Sequence, residues 1–391
     1  MLLAAGIVGA VVLVLRPITP HIAFNDGYGY DGVAYADLVR AMRGESDGSL
    51  LGQRPHFAYR PLPPALVAAS GLDIGRGFLA LNLLAYVASG PVLVVLLRAY
   101  GAPAGAALLA TLWWALLPAG LRLAIYYPVM IDGLGLLLML AVLAAAAWRR
   151  VALFGLLLAI GVLARENLIV LVPFLWIRLL PSGLWRATLV TALAATPAAL
   201  VFEAVRLAPP IPPPARFDVA FEMRQNWDWL LQNAADRAWR FAAAGPTTLG
   251  LFSVLPLLRP RRSLDFLRSH PEWIYYLVGT LAVIIVGGGD YDRYFMYFVP
   301  ALAVLCFTEG WWLGLRAALL TVVQVVISRA WAPTGTSEVE YLAYNVATMP
   351  LARLRDLFAL AVIGATAAAV IVWWPSRGRR VARPTAATTG P

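Results

Sequence analysis

The sequence predicts an all-α polytopic membrane protein of about twelve transmembrane helices, with two long extracytoplasmic loops carrying short amphipathic helices. Three observations predict it. The 391 residues are 61% hydrophobic and 13% charged, whereas a soluble domain holds about 25% charged residues. Mean hydropathy is +0.74. Apolar runs recur along the whole chain at close to the roughly 20 residues that cross a bilayer.

On that measure the spans fall at about 2–16, 77–97, 103–122, 132–147, 151–164, 168–180, 187–205, 244–258, 273–288, 295–309, 314–330 and 356–374. The first is apolar from Leu2, without a basic leader or a small-residue cleavage site, and reads as a retained span. The membrane domain covers 1–376, and the small polar stretch 377–391 reads as a disordered cytoplasmic tail.

Orientation follows from basic residues in the short loops. All 31 cations are arginine. With twelve alternating spans, Arg149-Arg150, Arg178 with Arg186, Arg259 with Arg261-Arg262, Arg316, and Arg377 with Arg379-Arg380 share one side, the cytoplasm. Both termini are then inside. Of the 21 acids, only Asp265, Glu272 and Glu309 lie inside and the remaining 18 face out. The scattered arginines do not form a nucleic-acid surface, and no nucleotide motif is present. The lone Cys306 excludes a disulfide framework.

The two long outer loops run over about 17–76 and 206–243. In the first, 35–43 reads as a short amphipathic helix. The second opens on the stiff Pro209–Pro214 stretch. In its continuation from Phe217 to Phe241, Trp227, Leu230, Leu231, Ala234, Ala238 and Phe241 share one helical face while Asp228, Asp236 and Arg237 fall elsewhere. That pattern suits a helix lying in the headgroup layer.

Five polar clusters converge on the outer side: Asp26 with Asp31, Arg60 in Tyr59-Arg60-Pro61, Asp132, Arg165-Glu166, and Asp290-Tyr291-Asp292-Arg293-Tyr294. Each stands at or just past a span end. Ionisable groups at membrane depth cost about 2.5–3.5 kcal/mol on insertion scales and mark cavities or pathways. Asp31, between Tyr30 and Gly32 and near Tyr35, is the candidate general base, with Asp26 as its back-up or simply the pivot of an Asx-turn. Arg60, Arg165 and Arg293 are candidate phosphate clamps, since a guanidinium matches phosphate oxygens two at a time. Arg165 could equally serve an ion pair with Glu166 or Asp132, and Arg293 could anchor at the headgroups. Asp132 either binds donor or metal, or caps the fourth span. Tyr291 and Tyr294 are candidate walls of a sugar pocket, and His56, near Arg60, is a further substrate-side candidate.

With those residues in place, the chain resembles the GT-C superfamily of membrane glycosyltransferases, and within it bacterial members akin to protein O-mannosyltransferases and the aminoarabinose transferase of lipid A. The resemblance rests on Tyr30-Asp31-Gly32-Val33-Ala34-Tyr35 followed by Tyr59-Arg60-Pro61-Leu62-Pro63, on Ala164-Arg165-Glu166-Asn167, and on Asp292-Arg293-Tyr294-Phe295. It spans the chain to about residue 310. It implies a GT-C-like fold, a polyprenyl-phosphate sugar donor, an active site facing out of the cytoplasm, and often a divalent cation such as Mg2+ or Mn2+. Two departures stand out. The family's adjacent acidic pair is replaced by Asp26 and Asp31, five apart, and its soluble C-terminal domain has no counterpart here, which leaves acceptor recognition to the long loops. The expected activity is sugar transfer at the cell membrane from the lipid-phosphate donor to a lipid, glycan or protein acceptor of the envelope. The alternatives are a lipid-linked saccharide transporter or flippase, and an O-antigen ligase or polymerase.

Overall fold

The computed structural model describes residues 1–52, 55–117, 120, 122–209, 224, 227–228, 231–232, 234–258, 260–286, 291–308, 315–330, 335–346 and 349–373. Among them, helix is the only regular structure. In chain order the α-helices are α1 (Leu2–Leu15), α2 (Asp31–Met42), α3 (Leu62–Ser70), α4 (Ile74–Ala99), α5 (Ala104–Ala115) and α6 (Asp132–Ala147). There follow α7 (Val151–Ala164), α8 (Val172–Leu179), α9 (Leu184–Leu207), α10 (Ala234–Leu249), α11 (Leu255–Leu258) and α12 (Pro260–Ser269). The last six are α13 (Pro271–Val286), α14 (Tyr291–Phe295), α15 (Val299–Phe307), α16 (Leu315–Ala330), α17 (Glu338–Asn345) and α18 (Pro350–Trp373).

The centre is α4, which packs along α6, α1 and α5, while α6 continues the layer onto α7 and α7 onto α9. Among the described residues, two helices, α4 and α9, are long and apolar enough to cross a membrane, and several apolar helices are shorter. Sequence and structure agree on the bounds of α6 and α7. Asp132 opens the one, and Arg149-Arg150 separates the two.

Other expected spans are interrupted. The stretch 168–180 starts as a 3-10 turn, Glu166–Leu171, and becomes α-helical only where Pro173 sits in the first turn of α8. A proline is tolerated there because its missing N–H would be unpaired anyway. Residues 295–309 divide in the same way before Pro300, at the start of α15. The expected span 244–258 is broken at Gly250, whose φ is +55°. The Gln324 side chain fills the space a Cβ would take there, and its Oε1 accepts the Leu251 N–H at 3.1 Å.

The first long loop folds into a cap with a core of its own, where Tyr35, Leu38 and Val39 of α2 pack with Phe57 and Val67 and with Phe78 of α4. Its helix begins four residues before the expected 35–43 and is largely buried, so the amphipathic reading of it does not hold. Most of the Pro209–Pro214 stretch, with Leu230 and the Asp236 side chain, lies outside the described residues. In the described part of the second loop, Trp227 and Leu231 are exposed while Arg237, on another face, is buried. A third segment, α17 and the turn before it, lies over the first loop. Thr336 O accepts the Ala23 N–H at 2.8 Å, and Tyr341 stacks on Tyr126.

Candidate active site

The turn that carries Asp31 is set by glycines. Asn25, Asp26, Gly27 and Gly29 all have positive φ. Asn25 Nδ2 donates to Gly29 O at 3.0 Å, and Asp26, at φ +57°, is exposed. The Tyr127 ring occupies the space in which a Cβ of Gly29 would sit, and Val129 O does the same at Gly32. That close approach lets the Tyr127 hydroxyl accept the N–H groups of Asp31 and Gly32, at 2.7 and 3.4 Å. Asp31 thereby becomes the first residue of α2, with its carboxylate fixed in direction.

Two charged chains meet beside it. In the first, Arg293 Nη1 donates to Asp31 Oδ2 at 3.0 Å and stands 3.6 Å from Asp132 Oδ2, while Arg165 Nη1 donates to Asp132 Oδ1 at 2.5 Å. Asp132 does not cap its helix. The Arg165 guanidinium also lies 5.7 Å from the ring centres of both Tyr294 and Tyr297. In the second chain Arg60 Nε donates to Glu166 at 2.8 Å, its Nη2 donates to the other carboxylate oxygen, and its Nη1 donates to the Tyr35 hydroxyl at 3.2 Å. Arg165 thus pairs with Asp132, and its sequence neighbour Glu166 pairs with Arg60.

Exposure grades across the group: 2% for Asp132 and 4% for Arg165, against 27% for Asp31, 16% for Arg293 and 33% for Glu166. The buried pair forms the floor, and the others open outward. Burial alone would push the Glu166 carboxyl up, but the Arg60 charge and its hydrogen bonds, with Arg165 behind, outweigh it and hold the group at about 2.

The remaining candidates stand elsewhere. Tyr291 is buried, with its hydroxyl 3.5 Å from Arg237 Nη1 and its ring edge-on to Phe241, so it braces α10 and does not wall a sugar pocket. The His56 ring lies tilted against Phe57, with ring centres 4.3 Å apart. Asp290 and the side chain of Asp292 lie outside the described residues. The described residues gather no group of three His, Cys, Asp or Glu side chains for a metal. Asp31 and Asp132 share Arg293.

Sequence reasoning passed over three supports. Asn82 is fully buried in α4, and its Nδ2 donates to Pro128 O and Met130 O at 2.6 and 2.9 Å, fixing the turn ahead of Asp132. An asparagine alone in an apolar run was its signal. Tyr127 and Tyr297 carried no such signal, because tyrosines abound at membrane interfaces. Beside Tyr297 lies a small, mainly apolar cleft lined by Met139, Asn167, Leu171, Tyr276 and Thr280. At the other end of α4 and α6 lies a second polar knot, in which Glu272 accepts from Arg178 at 3.1 Å and from Tyr100 at 3.3 Å. No protein family, no curated protein and no solved structure matches this chain.

Proposed function

We propose that the chain is a multi-pass glycosyltransferase of the cell membrane, using a polyprenyl-phosphate sugar donor at an extracytoplasmic site centred on Asp31. One observation carries the reading. Three carboxylates and three guanidinium groups from five distant stretches meet at one end of an apolar helical assembly, with Asp31 and Glu166 partly open. A transport path would instead need polar groups through the membrane's depth.

In this reading the twelve apolar stretches cross the bilayer, several as short or broken helices. The bare Leu and Trp side chains of α9, among them Leu184, Trp185, Leu193 and Leu200, then face lipid. Asp31 takes the proton of the acceptor hydroxyl as that oxygen bonds to C1 of the sugar. The bond from C1 to the phosphate oxygen breaks, and its electron pair leaves with the polyprenyl phosphate, with inversion at C1. Arg293 and Arg60, at the open side, hold the phosphate and meet the charge that grows on it. Arg165, pinned to Asp132, braces them from below and adds positive potential.

The experiment is transfer in proteoliposomes from a panel of radiolabelled polyprenyl-phosphate hexoses and pentoses to envelope extract. Wild-type protein is expected to move label from at least one donor, and Asp31→Asn to lose about 10²–10⁴-fold, the worth of a general base. Full activity in Asp31→Asn removes Asp31 from the role.

A further inference from the structure

We infer that Asn82 is a positioning residue for the Asp31 carboxylate, acting through the irregular stretch 127–131 that lies between them. This rests on the reading of Asp31 as the base. The stretch connects the π-helical turn Arg122–Tyr126 to the start of α6 and has no regular structure of its own. Val129, Met130 and Ile131 are nonetheless buried. Inside an apolar assembly such backbone persists only where protein groups satisfy its carbonyls. Asn82, fully buried in α4, does this. Its Nδ2 donates to Pro128 O at 2.6 Å and to Met130 O at 2.9 Å, and Pro128 O also accepts the Met130 N–H at 2.8 Å. One amide thus holds both ends of a three-residue turn. Gly133 leaves it room, since a Cβ there would run into Asn82 Oδ1.

The far side of this turn carries the acid. Asp31 and Gly32 open α2, where no intrahelical carbonyl serves their N–H groups, and the Tyr127 hydroxyl accepts both, at 2.7 and 3.4 Å. Val129 O stands where a Cβ of Gly32 would. Met130 Sδ lies 3.7 Å from Arg293 Nη1, and Asp132, two residues on, pairs with Arg165 and Arg293. Both acids of the first charged chain are therefore placed by one stretch of backbone, and that stretch is placed by Asn82. Without the two hydrogen bonds the turn loses its fixed depth against α4, and Tyr127 moves with it. A displacement of about 1 Å at a reacting group costs about 10²-fold in rate.

The test is hydrogen–deuterium exchange of the full chain in nanodiscs, read amide by amide in a mass spectrometer, with α7 as internal reference. Wild type is compared with Asn82→Leu, Tyr127→Phe and the double variant, and sugar transfer is measured on the same samples. Each single variant is expected to exchange the Asp31 and Gly32 amides at least about tenfold faster with α7 unchanged, and the double variant no faster than the faster single, because both act on one contact. Transfer is expected to fall in the same order. If Asn82→Leu does not fold, Gly133→Ala, which only pushes the amide aside, carries the same expectations. Exchange that rises equally over α7 in both makes Asn82 an anchor of the whole fold, and additive effects in the double variant separate it from Tyr127. Either result overturns the inference, as does unmoved exchange or full transfer in Asn82→Leu, and all of these leave the donor reading standing. If the exchange pattern holds while wild type transfers from no donor, the donor reading falls and the link from Asn82 to Asp31 stands.

Discussion

Asp31 and Arg293 are 262 residues apart and touch at 3.0 Å, and uncharged neighbours shape the group around them. Tyr127 holds the backbone of the one, and the ring pair Tyr294 and Tyr297 flanks the arginine beneath the other. The six charged members of the group were legible in the sequence, because ionisable residues at the ends of apolar runs need a reason to be there. Their pairing was not. Arg165 abuts Glu166 in the chain, yet it turns inward to Asp132 because its backbone is extended at the end of α7, which sends consecutive side chains to opposite sides. The Arg60–Glu166 pair gives a prediction with a definite sign. The Glu166 carboxyl lies at about 2 in the folded protein, below the roughly 4.3 of a free glutamate. The stabilisation is present in full above that ordinary value and fades as pH falls toward 2. Thermal unfolding of wild type and Glu166→Gln should therefore differ at pH 7 and converge between about pH 4 and pH 2. A gap that stays constant through acid would show that the pair contributes nothing through its charge.

At the scale of the element, hydropathy marked where helices lie and missed where they break. Gly250 shows why. Its left-handed backbone and the Gln324 side chain lodged against it are tertiary facts, and a window of apolar residues cannot register them. Gly29 was visible as part of a glycine-rich turn, but the reason for it, the Tyr127 ring pressed on its Cα, was not. Both sites refuse a side chain, with different outcomes. Gly250→Ala should cost about 1–3 kcal/mol from backbone strain, read as a lower unfolding temperature in detergent, with donor binding intact once folded. Gly29→Ala adds a clash beside Asp31, and should lower sugar transfer more than it lowers the unfolding temperature. If Gly29→Ala keeps full transfer, the Tyr127 clamp does not set the carboxylate. The segment at α17 was overlooked because it is short and polar; its capping box, Ser337 with Glu340, was readable, but nothing local told that Glu338 would accept from Tyr30, at 2.7 Å.

For the whole molecule, the two polar groups at opposite ends of α4 and α6 define an axis. One holds Asp31 and its partners; the other holds Tyr100, Arg178 and Glu272. The arginine bias assigned those ends to opposite sides of a membrane, which single-cysteine labelling can check after Cys306, the one native cysteine, is replaced. Asp47→Cys should react with an impermeant maleimide in intact cells, and Arg268→Cys only after lysis. The reverse pattern would turn the site toward the cytoplasm and remove the envelope acceptor from the account.

The most direct measurement is the affinity for undecaprenyl phosphate, by native mass spectrometry, of wild type, Arg60→Gln, Arg293→Gln and the distant control Arg268→Gln. The account predicts that each of the first two variants binds at least about tenfold more weakly, the loss of one charge-assisted contact, while the control matches wild type. Equal affinity in all four would contradict a phosphate site built from these arginines.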